Sequence, residues 1–252
     1  MNFDPRKRFS DRVENYVKYR PHYPEELLDF MKAECGLDQS SVIADIGSGT
    51  GISSELFLKN GNKVYAVEPN DEMRSAAEKI FSGDKNFISV NASAEDTGLE
   101  NNSVDFIIAG QAFHWFDLGL SKPEFRRILK NDGYFFIIWN SRIFREGFMD
   151  DYDELLMKFG TDYKKVNHEN IDEEVIRGYF SPGEFSVRKF YNFQDFDYEG
   201  LKGRLLSSSY VPNADDPSSA GMLKALEKLF DKYNIKGKVK MEYDTVVYFG
   251  RL

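Results

Sequence analysis

Through the first part of the chain, short apolar runs alternate with stretches in which apolar residues return every three or four positions. That alternation predicts a parallel sheet wrapped by helices, because the helices serve as crossovers between buried strands. The strands are expected over residues 42–46, 63–67, 87–90, 104–109 and 134–139. Ile52 and Leu56 mark a helix between the first two, and Met73, Ala76, Ala77 and Ile80 mark one between the second and third. Ser121 followed by Pro123 and Glu124 has the form of a capping box opening a helix through Phe125, Ile128 and Leu129, with Gly133 as its stop. After Asn140 the pattern changes: residues 141–183 are rich in charge and aromatics, with helical stretches and no alternating strand run, as expected of an insertion over the carboxyl edge of the sheet. A strand over 187–193 follows, then a helix around Leu201 and Leu205. A longer helix carries Met222, Leu223, Leu226, Leu229, Phe230 and Tyr233 on one side, and a strand over 245–249 closes the pattern. No repeat or long linker divides the chain, so residues 1–252 are expected to form one α/β domain. It would have a mainly parallel sheet with an antiparallel edge, helices on both faces and residues 1–38 as an N-terminal cap segment.

Composition narrows the class. The 252 residues are 41% apolar and 30% charged, enough for one ordinary core. One cysteine, Cys35, excludes an internal disulfide, and three scattered histidines give no metal-ligand spacing, so no metal and a cytoplasmic setting are expected. The polar N-terminus lacks the basic tip and apolar stretch of a leader, and no run is long enough to span a bilayer, so no membrane association is expected. With 33 Lys and Arg against 42 Asp and Glu, the net charge is −9, which repels phosphate backbones and disfavours a nucleic-acid partner.

The most informative stretch is 42–51, Val-Ile-Ala-Asp-Ile-Gly-Ser-Gly-Thr-Gly, a buried strand running into Gly47, Gly49 and Gly51 before a helix. Glycines there let a ligand lie against backbone amides at the helix start. A dinucleotide fingerprint places a glycine where this chain has Ile52. Glu68 ends the second strand about 20 residues on, where a carboxylate accepts hydrogen bonds from a ribose diol. Asp45 separates the ligand classes: a carboxylate there repels a pyrophosphate and attracts an ammonium, directly or through water. S-adenosylmethionine carries ribose, ammonium and sulfonium without phosphate. The plainer alternatives are a solvated Glu68 ahead of Pro69 and an Asp45 that only caps the loop.

These features resemble the class I S-adenosylmethionine-dependent methyltransferases, specifically the methyltransferase type 11 group, with a Rossmann-like fold. DIGSGTG at 45–51 matches the glycine motif, and VEPN at 67–70 matches the ribose-binding strand end, bringing in Pro69. Ser93-Ala94-Glu95 falls at the adenine position, with Ser93 in place of the usual Asp. Gln111 follows the fourth strand, where relatives contact the methionine half. Phe9 through Tyr16, then Tyr19, Arg20, Pro21, Tyr23 and Pro24, GQAFHWFD at 110–117 and GRLLSSSYVP at 203–212 resemble a subgroup related to trans-aconitate methyltransferases. The resemblance implies methyl transfer to a small-molecule acceptor; the alternatives are a non-enzymatic binder of S-adenosylmethionine or S-adenosylhomocysteine and a nicotinamide-dependent oxidoreductase, the latter opposed by Ile52 and Asp45.

Such a transfer is an in-line displacement, so the protein's main task is alignment. A base is needed only when the accepting atom must lose a proton. His114, just past the fourth strand, is the candidate base; alternatively it packs beside Trp115 and shapes the pocket. Tyr16, Tyr19 and Arg20 precede the sheet and can fold over the cofactor, Arg20 as a bidentate partner for its carboxylate; alternatively Arg20-Pro21 and Tyr23-Pro24 fix an extended entry to the first helix with Arg20 on the surface. Trp139, Asn140 and Arg142 leave the fifth strand toward the acceptor side, with core as the alternative for Trp139 and solvent for Arg142. Tyr210 joins them only through the resemblance. The acidic run 150–154 is expected to be a solvated helix face.

Overall fold

The computed structural model describes residues 13–161, 172–214 and 216–252. The beginning of the N-terminal motif, at 9–12, and residues 162–171 of the charged segment lie outside the described residues. Seven strands form one sheet in the order β3-β2-β1-β4-β5-β7-β6. They are β1 Val42–Ile46, β2 Lys63–Val67, β3 Phe87–Val90, β4 Val104–Gly110, β5 Leu129–Arg142, β6 Phe185–Phe196 and β7 Val239–Gly250. Strands β1 to β5 pair in parallel, and β7 runs antiparallel to both β5 and β6. The order reverses between β1 and β4, so the loops leaving these two strands diverge and open a crevice at the carboxyl edge.

Both faces of the sheet are covered, which explains the near-continuous apolar character of its central strands. On β5, Phe135, Ile137 and Trp139 join one core cluster, while Phe136 and Ile138 join the other. Helices α2 (Glu25–Cys35) and α3 (Ile52–Lys59) contribute Leu27, Met31 and Phe57 to the second. Helix α5 (Leu118–Ile128) and α7 (Glu173–Phe180) send Phe125, Tyr179 and Phe180 into the first. A third cluster joins α6 (Phe148–Phe159), α8 (Tyr198–Leu206) and α9 (Ser219–Tyr233) with Val239, Met241 and Tyr243 of β7. Helix α1 (Val13–Tyr19) lies on α8, and α4 (Asp71–Ile80) opens at Asn70, whose side chain accepts the Met73 N–H.

Three expectations change. Helix α5 opens at Asp117, whose carboxylate caps the Gly119 and Leu120 amides; Ser121 instead shares a hydrogen bond with the Tyr179 hydroxyl at 3.0 Å. Glu124 turns to the Thr97 amide and to Arg127, and Pro123 sits inside the helix. The helix ends at Ile128, and Gly133 belongs to β5, where a Cβ would lie 2.8 Å from the Asp105 carbonyl. Glycine thus admits the close approach of β5 to β4 at their register shift. Finally, residues 141–183 divide. Ser141 and Arg142 continue β5 against β7, α6 joins the third cluster and α7 plugs a face of the sheet.

Candidate functional site

Strand β1 delivers Asp45 and Ile46 into the loop that turns through Gly47, Ser48 and Gly49 to Gly51, the residue before α3. Gly47, Gly49 and Gly51 all have positive φ, between 57° and 85°, where a side chain would be strained. The space around them differs. A Cβ on Gly47 would lie 2.6 Å from that of Ala112, and one on Gly51 would strike the Phe81 ring at 2.4 Å, whereas none lies within 4 Å at Gly49. Gly47 and Gly51 therefore serve packing, and Gly49 faces open space.

Glu68, at the end of β2, holds this loop. One carboxylate oxygen accepts the Gly49 amide at 2.8 Å and the other accepts the Asn70 amide at 2.8 Å. Burial raises its pKa against those amide bonds. Asp45 is fully buried, one of its oxygens accepting the Ser53 and Ser54 hydroxyls at 2.7 and 2.6 Å, while Oδ1 has no partner among the described residues. Burial lifts its pKa to about 6, opposed by the two hydroxyl bonds. The hydroxyls of Ser48 and Thr50 are likewise buried without partners among the described residues. An unshared buried carboxylate oxygen, two unshared hydroxyls and an open Gly49 fit an uncharged ribose and an ammonium, whereas a pyrophosphate laid against this loop would face the Asp45 and Glu68 carboxylates. The residues present thus fit S-adenosylmethionine.

A cavity opens beside the loop, walled by Gly47, Ser48, Gly49, Ile52 and Ser53 below. Gly110 at the end of β4 and Gln111, His114 and Trp115 after it line the cavity, as do Asn140 and Arg142 at the end of β5 and Phe144 beyond. Gln111 takes a positive φ of 59° while its amide donates to the Ile138 carbonyl at 2.8 Å, a turn that aims the chain into the crevice. The N-terminal segment closes the cavity with Tyr16, Arg20, Pro21 and Tyr23. It is tied down by Asn192, which donates to the His22 carbonyl at 2.7 Å, and by Arg20, which donates to the Ser207 carbonyl at 2.8 Å. Arg204, Ser209 and Tyr210 complete the wall.

The sequence-predicted residues separate into three groups. Arg20, Gly47, Gly49, Gln111, His114, Trp115, Arg142 and Tyr210 converge on the cavity. Asp45, Gly51, Glu68, Pro69, Ser93, Ala94 and Glu95 lie along the same sheet edge, beyond β1, β2 and β3, with Glu95 accepting the Asp117 amide at 2.9 Å. Tyr19 and Trp139 do neither. Tyr19 packs on α8, where a Cβ at Gly203 would fall 2.0 Å from its ring, and Trp139 is core, edge-on to Phe113 and Tyr248. Asn140, expected on the acceptor side, lines the cavity too, whereas sequence reasoning gave no site role to Tyr23 or Arg204. Arg204 left a signal, a cation set between Leu201 and the Leu205-Leu206 pair on α8. Among the described residues no three His, Cys, Asp or Glu side chains group as metal ligands, and no helix is long and apolar enough to cross a membrane.

Comparison with known proteins places this geometry. Residues 44–137 match the model of a methyltransferase domain. An uncharacterized methyltransferase of Mycobacterium tuberculosis is 30% identical over 152 residues, 60% of this chain and 60% of that protein. An uncharacterized methyltransferase-like protein of Schizosaccharomyces pombe is 32% identical over 137 residues, 54% of this chain and 52% of that protein. The matches therefore span less than two thirds of these curated relatives' length. Among solved structures, a chain from Anaeromyxobacter dehalogenans, provisionally named a Type II methyltransferase, superposes with a TM-score of 0.67. It is 22% identical, with 92% of this chain and 98% of that one covered, a likeness of fold.

Proposed function

We propose that this chain, whose residues 44–137 match a methyltransferase domain, is a class I S-adenosylmethionine-dependent methyltransferase that methylates a small organic acceptor bound in the cavity beside the glycine loop. Asp45 carries this reading: its buried, unshared Oδ1 suits the ammonium of an amino-acid-bearing cofactor and opposes a dinucleotide. In this assignment Arg20 receives the cofactor carboxylate, Gln111 borders its methionine half and Glu68 the ribose, with Pro69 shaping that strand end. The backbone of Ala94, flanked by Ser93 and Glu95, meets the adenine. When bound, the cofactor supplies a methyl group on a sulfonium, a leaving group already installed.

The chain's own contribution is position and dryness. Tyr16, Pro21 and Tyr23 cover the cavity from the N-terminal side and exclude water, while His114, Trp115, Arg142 and Tyr210 wall the space left for the acceptor. Trp139 and Tyr19 support these walls from behind. The likeness of segments 110–117 and 203–212 to the trans-aconitate methyltransferase subgroup supports a small acceptor and leaves its identity open.

S-adenosylhomocysteine is expected to raise the melting temperature, whereas NAD and NADP leave it unchanged, because only a ligand of the folded state stabilises it by mass action. Transfer of labelled methyl from S-adenosylmethionine into a small-molecule extract is expected as well. A dinucleotide shift equal to that of S-adenosylhomocysteine would overturn the assignment.

A further inference from the structure

The cavity holds more positive charge than the proposed cofactor can neutralise. Arg204 is only 5% exposed, yet its hydrogen bonds go to neutral oxygens at long range: the hydroxyls of Tyr243 at 3.4 Å, Ser207 at 3.5 Å and Ser208 at 3.3 Å. No carboxylate among the described residues pairs with it or with Arg20, whose Nε is buried without a partner. Arg142 reaches the same cavity and meets Asp153 at 3.7 Å. A buried guanidinium without a counter-ion is costly to the fold, and three converging ones repel one another.

The charges can be counted. The three guanidiniums contribute three positive charges, Asp153 offsets one and the cofactor's single carboxylate offsets a second. Asp45 is matched to the cofactor ammonium. Among the described residues one positive charge, that of Arg204, stays unmet, and the sulfonium adds to it.

We propose, resting on the methyltransferase reading above, that the acceptor is an organic monoanion whose carboxylate is held by Arg204 and Arg142 beside Tyr210. A carboxylate matches the planar fork of a guanidinium with two parallel hydrogen bonds. A phosphate dianion would overshoot the charge and approach Asp153. Oxygens whose lone pairs are taken by guanidinium N–H groups are poor nucleophiles, so this carboxylate is the handle and the methyl-accepting atom lies elsewhere on the acceptor.

Binding and product charge test the idea together. Calorimetry on the full chain with S-adenosylhomocysteine present is expected to find benzoate bound at least tenfold more tightly than benzamide, and more tightly than inorganic phosphate. Arg204→Lys should erase most of that preference, and Arg142→Gln part of it, with S-adenosylhomocysteine affinity within about twofold of the parent. Labelled products formed from a small-molecule extract should be retained on an anion exchanger at neutral pH, since the handle keeps its charge. Equal binding of acid and amide, tighter binding of phosphate, or labelled products that are neutral or cationic would overturn the proposal. Loss of S-adenosylhomocysteine binding with a surviving benzoate preference would instead sink the methyltransferase reading and leave the anion site standing.

Discussion

At the residue scale the buried carboxylates decide most. Asp45 is lifted from its ordinary 3.8 to about 6 by burial, against the Ser53 and Ser54 hydroxyls. Its folded value exceeds its unfolded one, so ionisation works against folding. The cost is absent below about pH 4, grows through the interval up to about 6 and is complete above it. Asp45→Asn is therefore expected to stabilise the ligand-free protein at neutral pH, by at most about 3 kcal/mol, while weakening S-adenosylhomocysteine binding at least tenfold. Urea denaturation of both forms from about pH 4 to pH 7 checks this, and parallel stability curves would disprove it. Glu68 differs because its oxygens already hold two amides. Glu68→Ala should lower S-adenosylhomocysteine affinity by about 1–3 kcal/mol and also destabilise the loop; unchanged affinity and melting temperature would show that it neither binds the cofactor nor holds the loop. His114 borders the cavity with its ring 4.6 Å from that of Trp115, a packing arrangement. His114→Gln is expected to slow single-turnover transfer less than tenfold while weakening ligand binding. A hundredfold slower chemical step with intact cofactor affinity would instead identify it as the base.

At the element scale, the contact of α1 with α8 governs how the N-terminal segment covers the cavity. Gly203 is the point of closest approach, a Cβ there falling 2.0 Å from the Tyr19 ring. Gly203→Ala should push α1 away, so limited proteolysis would cut the N-terminal segment faster while the sheet keeps its cooperative unfolding. Identical cleavage rates for variant and parent would show that α1 is not held by this contact. The same elements explain why some residues were legible and others were not. Ser121, Pro123 and Glu124 have the spacing of a capping box, but an earlier Asp117 caps first, and Ser121 is then consumed by Tyr179 across the α5–α7 packing. The polar end of β5 carries no apolar alternation, yet β7 pairs with it through Arg142. That pairing, not the local pattern, carries Asn140 and Arg142 to the site.

The whole molecule sets the electrostatics. Burial alone would raise the Tyr210 phenol, but Arg142, Arg204 and Arg20 outweigh it and bring it down to about 8. Since the folded value lies below the ordinary 10, phenolate formation favours the fold; that stabilisation is complete above the unfolded value and lost as pH falls through about 8. The ultraviolet absorbance of the protein should show one tyrosine ionising near pH 8, absent in Tyr210→Phe. A first tyrosine ionisation only near the ordinary value would contradict this arrangement. A protein with a net charge of −9 thus concentrates positive charge in one cavity.

What the sequence determined by itself is whatever depends on near neighbours along the chain. The alternation of buried strands with helices, the loop from Gly47 to Gly51, the carboxylate just before it and Glu68 at the next strand end were all legible, because strand periodicity and loop conformation are local properties. Tertiary structure decided which side chains share a cavity. Arg20 and Arg204 stand far apart in sequence yet line one wall, and Tyr19 and Trp139, sequence neighbours of wall residues, point into packing instead. Burial and counter-charge belong to a place in the fold rather than to a residue type. The phenol of Tyr210 and the unmet charge of Arg204 come into being only when the chain brings those groups together and removes the water between them.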